Sequence, residues 1–404
     1  MSAVQTAAAR GEETPSASDV AARARSIVPE LKKLAPEAEK LRRLPAESVA
    51  LLQQQGLFQI LQPESCGGYG MSMRSHVDVV STIGEGCSAT AWVLGVCHAH
   101  SWIMGHYPKA AQQEVYGKTP KVVISAVIAP RGKAMKQPDG SYVLNGFWPF
   151  ASGCEHSSWL MLGAEVFDQS GAKIDETEFL IPTSSIEIRD DWYVAGLQGT
   201  GSNSIVVKDL AVPAYRTLSL PPWLEGDSPS FTAPDAGWTN RAQAIPVLGL
   251  CISSSSLGVA RDALAEFKRV VPGKKIAYTN HISDDWTPVQ LQLGHAAAMI
   301  HAAELVLYRV ADDIDECSRQ KQRMSVEMRA RVRMDCSYAV RVLMEAVDKL
   351  FIYSGASGLS LRGSLQRAAR DLHAVNMHGL LLFDTSAEIY GRVLLGKGSN
   401  SPIY

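Results

Sequence analysis

The chain has 404 residues, of which 46% are apolar and 20% charged, a composition typical of a globular protein rather than a disordered or fibrous one. Its 39 basic and 41 acidic residues leave a net charge of −2, which argues against the basic surface of a nucleic-acid-binding protein. No apolar run approaches the roughly 20 residues that span a bilayer, and the seven scattered cysteines favour a reduced, cytoplasmic location over a disulfide framework.

The first quarter of the chain is predicted to be helical after a loose polar tail over residues 1–16. A helix is indicated by apolar residues that recur at helical spacing, namely Leu31, Leu34, Ala35 and Ala38. The following run, LPAESVALLQQQGLF, reaches Gly56 as a plausible helix C-cap, and Gly117 closes another helical segment. These signals predict an N-terminal helical domain over residues 17–120.

From Val122 the pattern changes to short runs of β type. The predicted strands are VVISAVI, SYVLNG, WLMLGAEV, EFLIP, IEIRDDW and SNSIVVKDLAVP. Asp139 and Gly140 offer a tight hairpin turn after the first of them. We therefore expect a middle β-domain, a barrel or a sheet, over residues 121–220, and then a Pro/Ser/Gly-rich linker near 218–238.

The last region has the clearest helices. Thr287 and Pro288 form a helix start, and the apolar face that follows consists of Leu293, Ala297, Ile300, Leu307, Val310 and Ile314. A second helix that stops near Gly355 carries one stripe of Val332, Cys336, Ala339, Leu343, Val347 and Leu350. Long helices with Ala-rich seams predict a four-helix bundle over residues 239–396. The fold class is α+β, mostly α.

The stretch GFWPFASGCEHSSW, from Gly146 to Trp159, follows the end of a predicted strand and combines aromatic, hydroxyl and histidine side chains. Trp148, Phe150 and Ser152 suit a large flat conjugated ring, because aromatic side chains hold its faces and a hydroxyl with backbone N–H groups holds its polar edge. Trp148 and Phe150 are also compatible with an ordinary role as core aromatics.

A second informative stretch, VLGVCHAHSW, places two histidines among apolar residues of a predicted helix. A neutral imidazole, with a pKa near 6.5, can accept a proton from a ligand or hydrogen-bond to it. His98 and His100 are the candidates here, and both are also compatible with buried core histidines. No metal site is predicted, because Cys97 and His98 point to different helix faces and no ligand set with zinc spacing follows.

The order of the three regions, with the motifs YVLNGFWPFASG, GLQGTGSNSIVVKDLAVP and SGASGLSLRGSLQRAARD, resembles the acyl-CoA dehydrogenase fold. Within that fold it is similar to group D, the oxygenase components of two-component flavin-dependent monooxygenases, from about residue 20 to 396. The resemblance implies flavin contacts from Trp148, Phe150, Ser152 and Gly153. It also implies a homotetramer, a dimer of dimers, in which Gly355 and Ala356 reach the flavin of a neighbouring subunit.

The same resemblance implies the chemistry. Reduced FMN or FAD, supplied by a separate NAD(P)H-dependent flavin reductase, would react with O2 to form a C4a-hydroperoxide that hydroxylates a small phenol- or indole-like aromatic. Ser152 would lie near N5 of the flavin, and His378 with His100, or His98 in its place, would flank the substrate as catalytic residues. The segment GTGSNS lacks the third glycine of a dinucleotide fingerprint and does not open a helix, so the reductant is expected from a partner.

An alternative is a flavoenzyme of the acyl-CoA dehydrogenase type that acts on a thioester. Such enzymes use a glutamate base, in several of them about two helical turns after the Arg-Asp pair matched by Arg370 and Asp371. Here that neighbourhood holds His378, while Glu388 lies further along the chain. Oxygen transfer to nitrogen or sulfur is a variant of the first reading, and the choice between FMN and FAD stays open.

Overall fold

The computed structural model describes residues 14–228, 231 and 236–404, so most of the predicted tail lies outside the described residues. The first helix begins after Ser16, whose hydroxyl accepts the N–H of Asp19 while the Asp19 carboxylate accepts the N–H of Ser16, a capping box. The N-terminal helices are α1 Ala17–Leu41, α2 Ala46–Gln54, α3 Met73–Gly84, α4 Ser88–Ile103 and α5 Lys109–Tyr116. The predicted end points hold, because Gly56 has a φ of 67° just after α2 and Gly117 caps α5.

The middle region is a seven-stranded sheet within the described residues, in the order β5-β6-β2-β1-β3-β4-β7. Its strands are β1 Ile124–Lys136, β2 Tyr142–Trp148, β3 Trp159–Phe167, β4 Lys173–Pro182, β5 Glu187–Arg189, β6 Ser204–Val212 and β7 Thr217–Ser219. β1 and β3 pair in parallel, and the other neighbours are antiparallel. The hairpin at Asp139-Gly140 is confirmed, and the sheet keeps two edge strands, β5 and β7, rather than closing into a barrel.

The C-terminal helices are α6 Leu220–Leu224, α7 Ala244–Val270, α8 Thr287–Arg319, α9 Val326–Tyr353, α10 Leu365–Asn376 and α11 Phe383–Leu394. All six residues of the predicted α9 stripe are buried, whereas Leu293 and Ala297 of the α8 stripe are only half-buried. α7 is long and apolar enough to cross a membrane, yet 94% of its most apolar window is buried inside the protein. α7 is therefore the central core helix of the bundle.

Two apolar cores organise the molecule. The larger core joins helices from both ends of the chain, so α3 and α4 share it with α7, α8 and α9. The smaller core lies within the sheet and contains Trp148, Leu162 and Phe179. α4 contacts the start of β1 as well as α7, so it stands where the helical and β regions meet. The division at residues 120 and 239 remains a prediction.

The tight crossing of α3 and α7 gives a stability prediction. A Cβ placed on Gly258 would lie 1.8 Å from the carbonyl oxygen of Ser81, so Gly258→Ala must push two buried helices apart. We expect it to lower the free energy of unfolding by about 3 kcal/mol or more, as overpacking against backbone does. Gly294→Ala in α8 is the control: its Cβ meets nothing within 4 Å, so it should stabilise by up to about 1 kcal/mol. Equal denaturant midpoints for both variants would contradict this packing.

Candidate active site

One face of α4 supplies the floor of the candidate site. Every residue of α4 is buried, and Trp92, Val96 and His100 follow one another at i, i+4 and i+8, so they share a face. Trp92 and His100 are separated by about 12 Å along the helix axis, which is the scale of a fused aromatic ring system with a small substrate beside it.

A row of hydroxyl groups lies against the N-terminal end of this face. The indole N–H of Trp92 donates to Oγ of Ser152 at 3.1 Å, and Ser152 Oγ lies 2.7 Å from Ser202 Oγ. Ser202 Oγ lies 2.7 Å from Oγ1 of Thr200, which donates to the carbonyl of Leu197 at 2.9 Å. All three hydroxyl-bearing residues are buried, and Ser152, at 9% exposure, keeps the most open surface of the three.

The loop that carries Ser152 exposes Phe150. Phe150 has a φ of 69°, which is unfavourable for a bulky residue, and its side chain is 66% exposed, edge-on to Trp192 at 6.0 Å between ring centres. A large aromatic side chain held in strained backbone at the surface points to a binding role rather than to packing. Gly153, with a φ of 70°, lets the loop lie on α4, because a Cβ there would approach Val93 to 2.8 Å.

The predicted backbone donors of this loop are not free. The N–H groups of Ala151, Ser152 and Gly153 donate to the carbonyls of Asn203, Phe150 and Thr200, respectively. The expectation that these amides hold a ring edge is therefore wrong for this conformation. Side chains, above all the Ser152 hydroxyl, are what the loop offers to a ligand.

Trp148 does not face the candidate site. It is fully buried in the core of the sheet, where its indole N–H donates to the carbonyl of Gly163 at 2.7 Å. Gly132 and Gly146 make room for its ring, since a Cβ on either would lie within 2.5 Å of it. Because Trp148 is buried in this core, the predicted contact between Trp148 and a flavin ring is wrong. Gly146 serves the packing of the Trp148 ring.

The structure separates the two histidines of α4. Nδ1 of His100 donates to the carbonyl of Ile124 at 2.8 Å, so Nε2 of the neutral ring carries a lone pair. Burial lowers the pKa of His100 to about 4, although the bond to Ile124 opposes this, and the ring is neutral near pH 7. His98 points into the helical core, where its Nε2 donates to the carbonyl of Leu57 and its Nδ1 accepts from Nδ1 of His76. His100 is the histidine available to a ligand.

The buried pair of His76 and His98 predicts acid sensitivity. Burial lowers the pKa of His98 to about 4 and that of His76 well below its usual value, so the unfolded chain binds more protons between about pH 4 and 6.5. Stability from these groups is complete above pH 6.5 and is lost as the pH falls towards 4. A histidine with such a shift costs about 2 kcal/mol between pH 7 and pH 5. Denaturant midpoints across this range test the prediction, and His98→Gln, which keeps a donor for Leu57, should flatten the slope.

His378 lies at the other end of the site from His100. Its ring stands edge-on to that of Trp92, with 5.8 Å between ring centres, and its Nδ1 accepts the N–H of Leu380 at 3.2 Å. The neutral ring therefore carries its proton on Nε2, the opposite arrangement to His100. The surrounding protein lowers the pKa of His378 by excluding water, and Arg333 adds to the effect.

The Arg-Asp pair has a structural role. Arg370 donates to the carboxylate of Glu39 at 2.5 Å, and the buried carboxylate of Asp371 accepts the N–H of Leu197 at 2.6 Å and the hydroxyl of Ser88. These contacts hold α10 against α1, α4 and the loop that begins the hydroxyl row. Glu388, the carboxylate left open as a base, is exposed and accepts a hydrogen bond from Asn400 rather than from a residue of this site.

Gly355 and Ala356 do not adjoin the hydroxyl row through any contact among the described residues. They are exposed at the end of α9, where Gly355 has a φ of 73° and the adjacent Ser357 accepts a hydrogen bond from Lys274 at 2.8 Å. An exposed position at the end of the bundle leaves them available to a neighbouring subunit, which keeps their predicted role a proposal.

Sequence reasoning missed several members of the site. Trp92 lies eight residues before His100, and this spacing was the signal that both share a helix face. Thr200 and Ser202 alternate in GTGSNS, a segment considered above as a strand start and a dinucleotide fingerprint but not for its hydroxyl groups. Ser125, at the start of β1, donates to the carbonyl of Ser152 at 2.8 Å and so ties the loop to the strand beside His100.

The residues brought together fit a flavin. Trp92, Phe150 and Trp192 offer aromatic surface, and the Ser152 hydroxyl stands among them, which matches a flat ring with a hydrogen-bonding edge. Two histidines lie at the two ends of the site: His100 carries its proton on Nδ1, and His378 carries its proton on Nε2. This arrangement can hold a ring and exchange a proton with a hydroxyl-bearing substrate.

Two family models and several known proteins match this chain. Residues 14–119 match the family model described as acyl-CoA dehydrogenase, N-terminal domain, and residues 250–382 match its C-terminal domain. The chain is 33% identical over 362 residues to the flavin-dependent monooxygenase, oxygenase subunit HsaA, of Mycobacterium tuberculosis, covering 87% of this chain and 89% of that protein.

Two further relatives extend the comparison. The p-hydroxyphenylacetate 3-hydroxylase, oxygenase component, of Acinetobacter baumannii is 31% identical over 386 residues, covering 95% of this chain and 91% of that protein. The solved structure of XiaF from Streptomyces sp., in complex with FADH2 and glycerol, superposes with a TM-score of 0.91 at 27% identity, covering 96% of this chain and 97% of that one.

Proposed function

Because the chain belongs to the oxygenase components of flavin-dependent monooxygenases with the acyl-CoA dehydrogenase fold, we propose that it hydroxylates a small phenol-like aromatic. It is an oxidoreductase that uses reduced flavin and O2, and the reduced flavin comes from a separate reductase. The observation that carries the choice of substrate is the lone pair of His100 Nε2, a proton acceptor aimed away from its bond to Ile124. The relative that acts on p-hydroxyphenylacetate supports a phenolic ring.

The residues of the candidate site have distinct roles in this proposal. His100 accepts a hydrogen bond from the substrate hydroxyl and takes its proton as the neighbouring ring carbon is attacked, when that hydroxyl becomes far more acidic than in the free phenol. His378, at the opposite end of the site, donates a hydrogen bond from Nε2 to the bound ligand. Trp92 and Phe150 would hold the faces of the flavin, Ser152 its edge, and Gly153 the loop on α4. The bound flavin supplies the electrons that activate O2, and FADH2 is the first form to test because XiaF holds it.

The partners and the assembly are part of the proposal. We take the reductase to be NAD(P)H-dependent and the oxygenase to be a cytoplasmic homotetramer, a dimer of dimers. Free cysteines throughout the described residues suit a reduced compartment. Exposed apolar side chains on the bundle, such as Leu305, Ile352 and Leu382, suit burial between subunits, where Gly355 and Ala356 would approach the neighbouring flavin. Light scattering on the purified protein measures the assembly.

An isotope experiment tests the proposed function. The protein is incubated with FAD, NADH, a flavin reductase, ¹⁸O2 and a panel of phenols, sulfides, amines and acyl thioesters, and the masses of the products are measured by mass spectrometry. We expect one ¹⁸O atom in a hydroxylated phenol, with product lost when the reductase is omitted and restored by chemically reduced FAD. Oxygen found only on sulfur or nitrogen compounds would overturn the substrate class, and desaturation of an acyl thioester would overturn the proposal altogether.

A further inference from the structure

We propose that Thr200 and Ser202 fix the Ser152 hydroxyl as a hydrogen-bond acceptor and so make the site select reduced over oxidised flavin. The inference rests on the proposed function, because it concerns the ring that Ser152 is expected to meet. It assigns a specificity role to two residues that lie behind Ser152 in the hydroxyl row and have no predicted contact with the flavin.

The argument is a count of protons along the row. A hydroxyl has one proton to donate, and a carbonyl can only accept. Thr200 gives its proton to the carbonyl of Leu197, so towards Ser202 it can only accept. Ser202 must then give its proton to Thr200, and Ser152 must give its own to Ser202. Trp92 donates to Ser152 as well, which leaves Ser152 one free lone pair and no free proton.

The opposite order leaves a contact without a proton. If Ser202 donated to Ser152, Thr200 would have to donate to Ser202, and its oxygen would face the Leu197 carbonyl at 2.9 Å with no hydrogen between them. Two acceptors at that distance repel each other, and burial of the row keeps water from intervening. The first order satisfies all four contacts of the row with four protons.

The end of the row is firmly held. Leu197 has a φ of 53°, and its N–H donates to the buried Asp371 carboxylate at 2.6 Å. Its carbonyl also accepts the indole N–H of Trp192 at 3.1 Å and the backbone N–H of Thr200 at 3.1 Å. This carbonyl is therefore fixed in direction, and the polarity of the row follows from it.

The consequence concerns the redox state of the flavin. Oxidised flavin has a lone pair at N5, whereas reduced flavin has an N–H there, so the same ring position changes from acceptor to donor. A Ser152 hydroxyl that can only accept forms a hydrogen bond with the reduced ring and opposes a lone pair of the oxidised ring. The row thus favours binding of the form that reacts with O2 and release of the form left after turnover.

Binding measurements test this inference without turnover. Dissociation constants for FAD and for chemically reduced FADH2 are measured anaerobically for the wild type, Thr200→Val, Thr200→Ser and Ser202→Ala. Thr200→Val keeps the shape of the side chain but frees the proton of Ser202, so the row can reverse. We expect the ratio of the two constants, oxidised over reduced, to fall about tenfold, the value of one hydrogen bond. Thr200→Ser keeps the hydroxyl and should keep the ratio.

Each outcome decides the matter. The inference is supported if the ratio of the oxidised to the reduced dissociation constant is lower in both Thr200→Val and Ser202→Ala and stays at the wild-type value in Thr200→Ser. An unchanged ratio in Ser202→Ala, which removes the acceptor of the Ser152 proton, overturns it even if Thr200→Val fails to fold. Wild-type protein that binds neither form of flavin would contradict the proposed function instead, so failure of the inference and failure of the proposed function give different results.

Discussion

His100→Asn is expected to lower the rate of phenol hydroxylation by at least about 100-fold, the contribution of a positioned general base. Asparagine keeps a donor for the carbonyl of Ile124 but has no lone pair where His100 Nε2 stands. The binding of reduced flavin should change little, because His100 lies about two turns of α4 away from Trp92. Stopped-flow measurement of product formation with saturating FADH2 and O2 gives the rate.

His98→Gln is the matched control for this change. It alters a histidine only two residues away, in the buried pair with His76, and should lower stability while leaving the hydroxylation rate within a few-fold of wild type. The reverse pattern, a slow His98→Gln and a normal His100→Asn, would show that the wrong ring had been assigned to the substrate.

Asp371→Ala should lower the free energy of unfolding by about 3 kcal/mol, because it leaves the buried Leu197 N–H and Ser88 hydroxyl without their acceptor. The carboxylate lies between α10, α4 and the left-handed residue Leu197, so the loop before the hydroxyl row loses its anchor. Urea unfolding monitored by circular dichroism measures the loss.

Asp348→Ala serves as the comparison. Its partly exposed carboxylate pairs with His373 at 3.1 Å, so the loss should stay below about 1 kcal/mol. If Asp371→Ala were as stable as wild type but inactive, Asp371 would be acting in the chemistry, and the structural role assigned to the Arg-Asp pair would be wrong.

Helices and strands with a regular apolar period were predictable from the sequence. The α9 stripe from Val332 to Leu350 is buried as expected, because a helix that packs on one side carries an apolar residue on that side every three or four positions. The three residues of β7 were not among the predicted strands and overlap the start of the predicted linker, since a short edge strand is defined by its partner β4 and not by its own pattern.

The candidate site was predictable in part, and the reason is geometric. His98 and His100 occupy equivalent apolar surroundings in sequence, but a two-residue step along a helix turns the side chain by about 200°, so one faces the core and the other the site. Trp148 is the last residue of β2 and is buried in the sheet core, whereas Phe150 lies beyond the strand, where its φ of 69° leaves its side chain exposed. The hydroxyl row joins Ser152 to Ser202, which are 50 residues apart in the chain, so no local sequence pattern indicates it.

The central claim, that this protein receives reduced flavin and controls its reaction with O2, has a direct test. The protein is mixed anaerobically with FADH2 and then with oxygenated buffer, with no aromatic substrate present, and the return of the oxidised-flavin absorbance is followed. We predict a marked delay relative to free FADH2, in a protein that purifies nearly colourless. Reoxidation at the rate of free flavin, in a protein that purifies yellow with tightly held FAD, would contradict the account and favour a dehydrogenase.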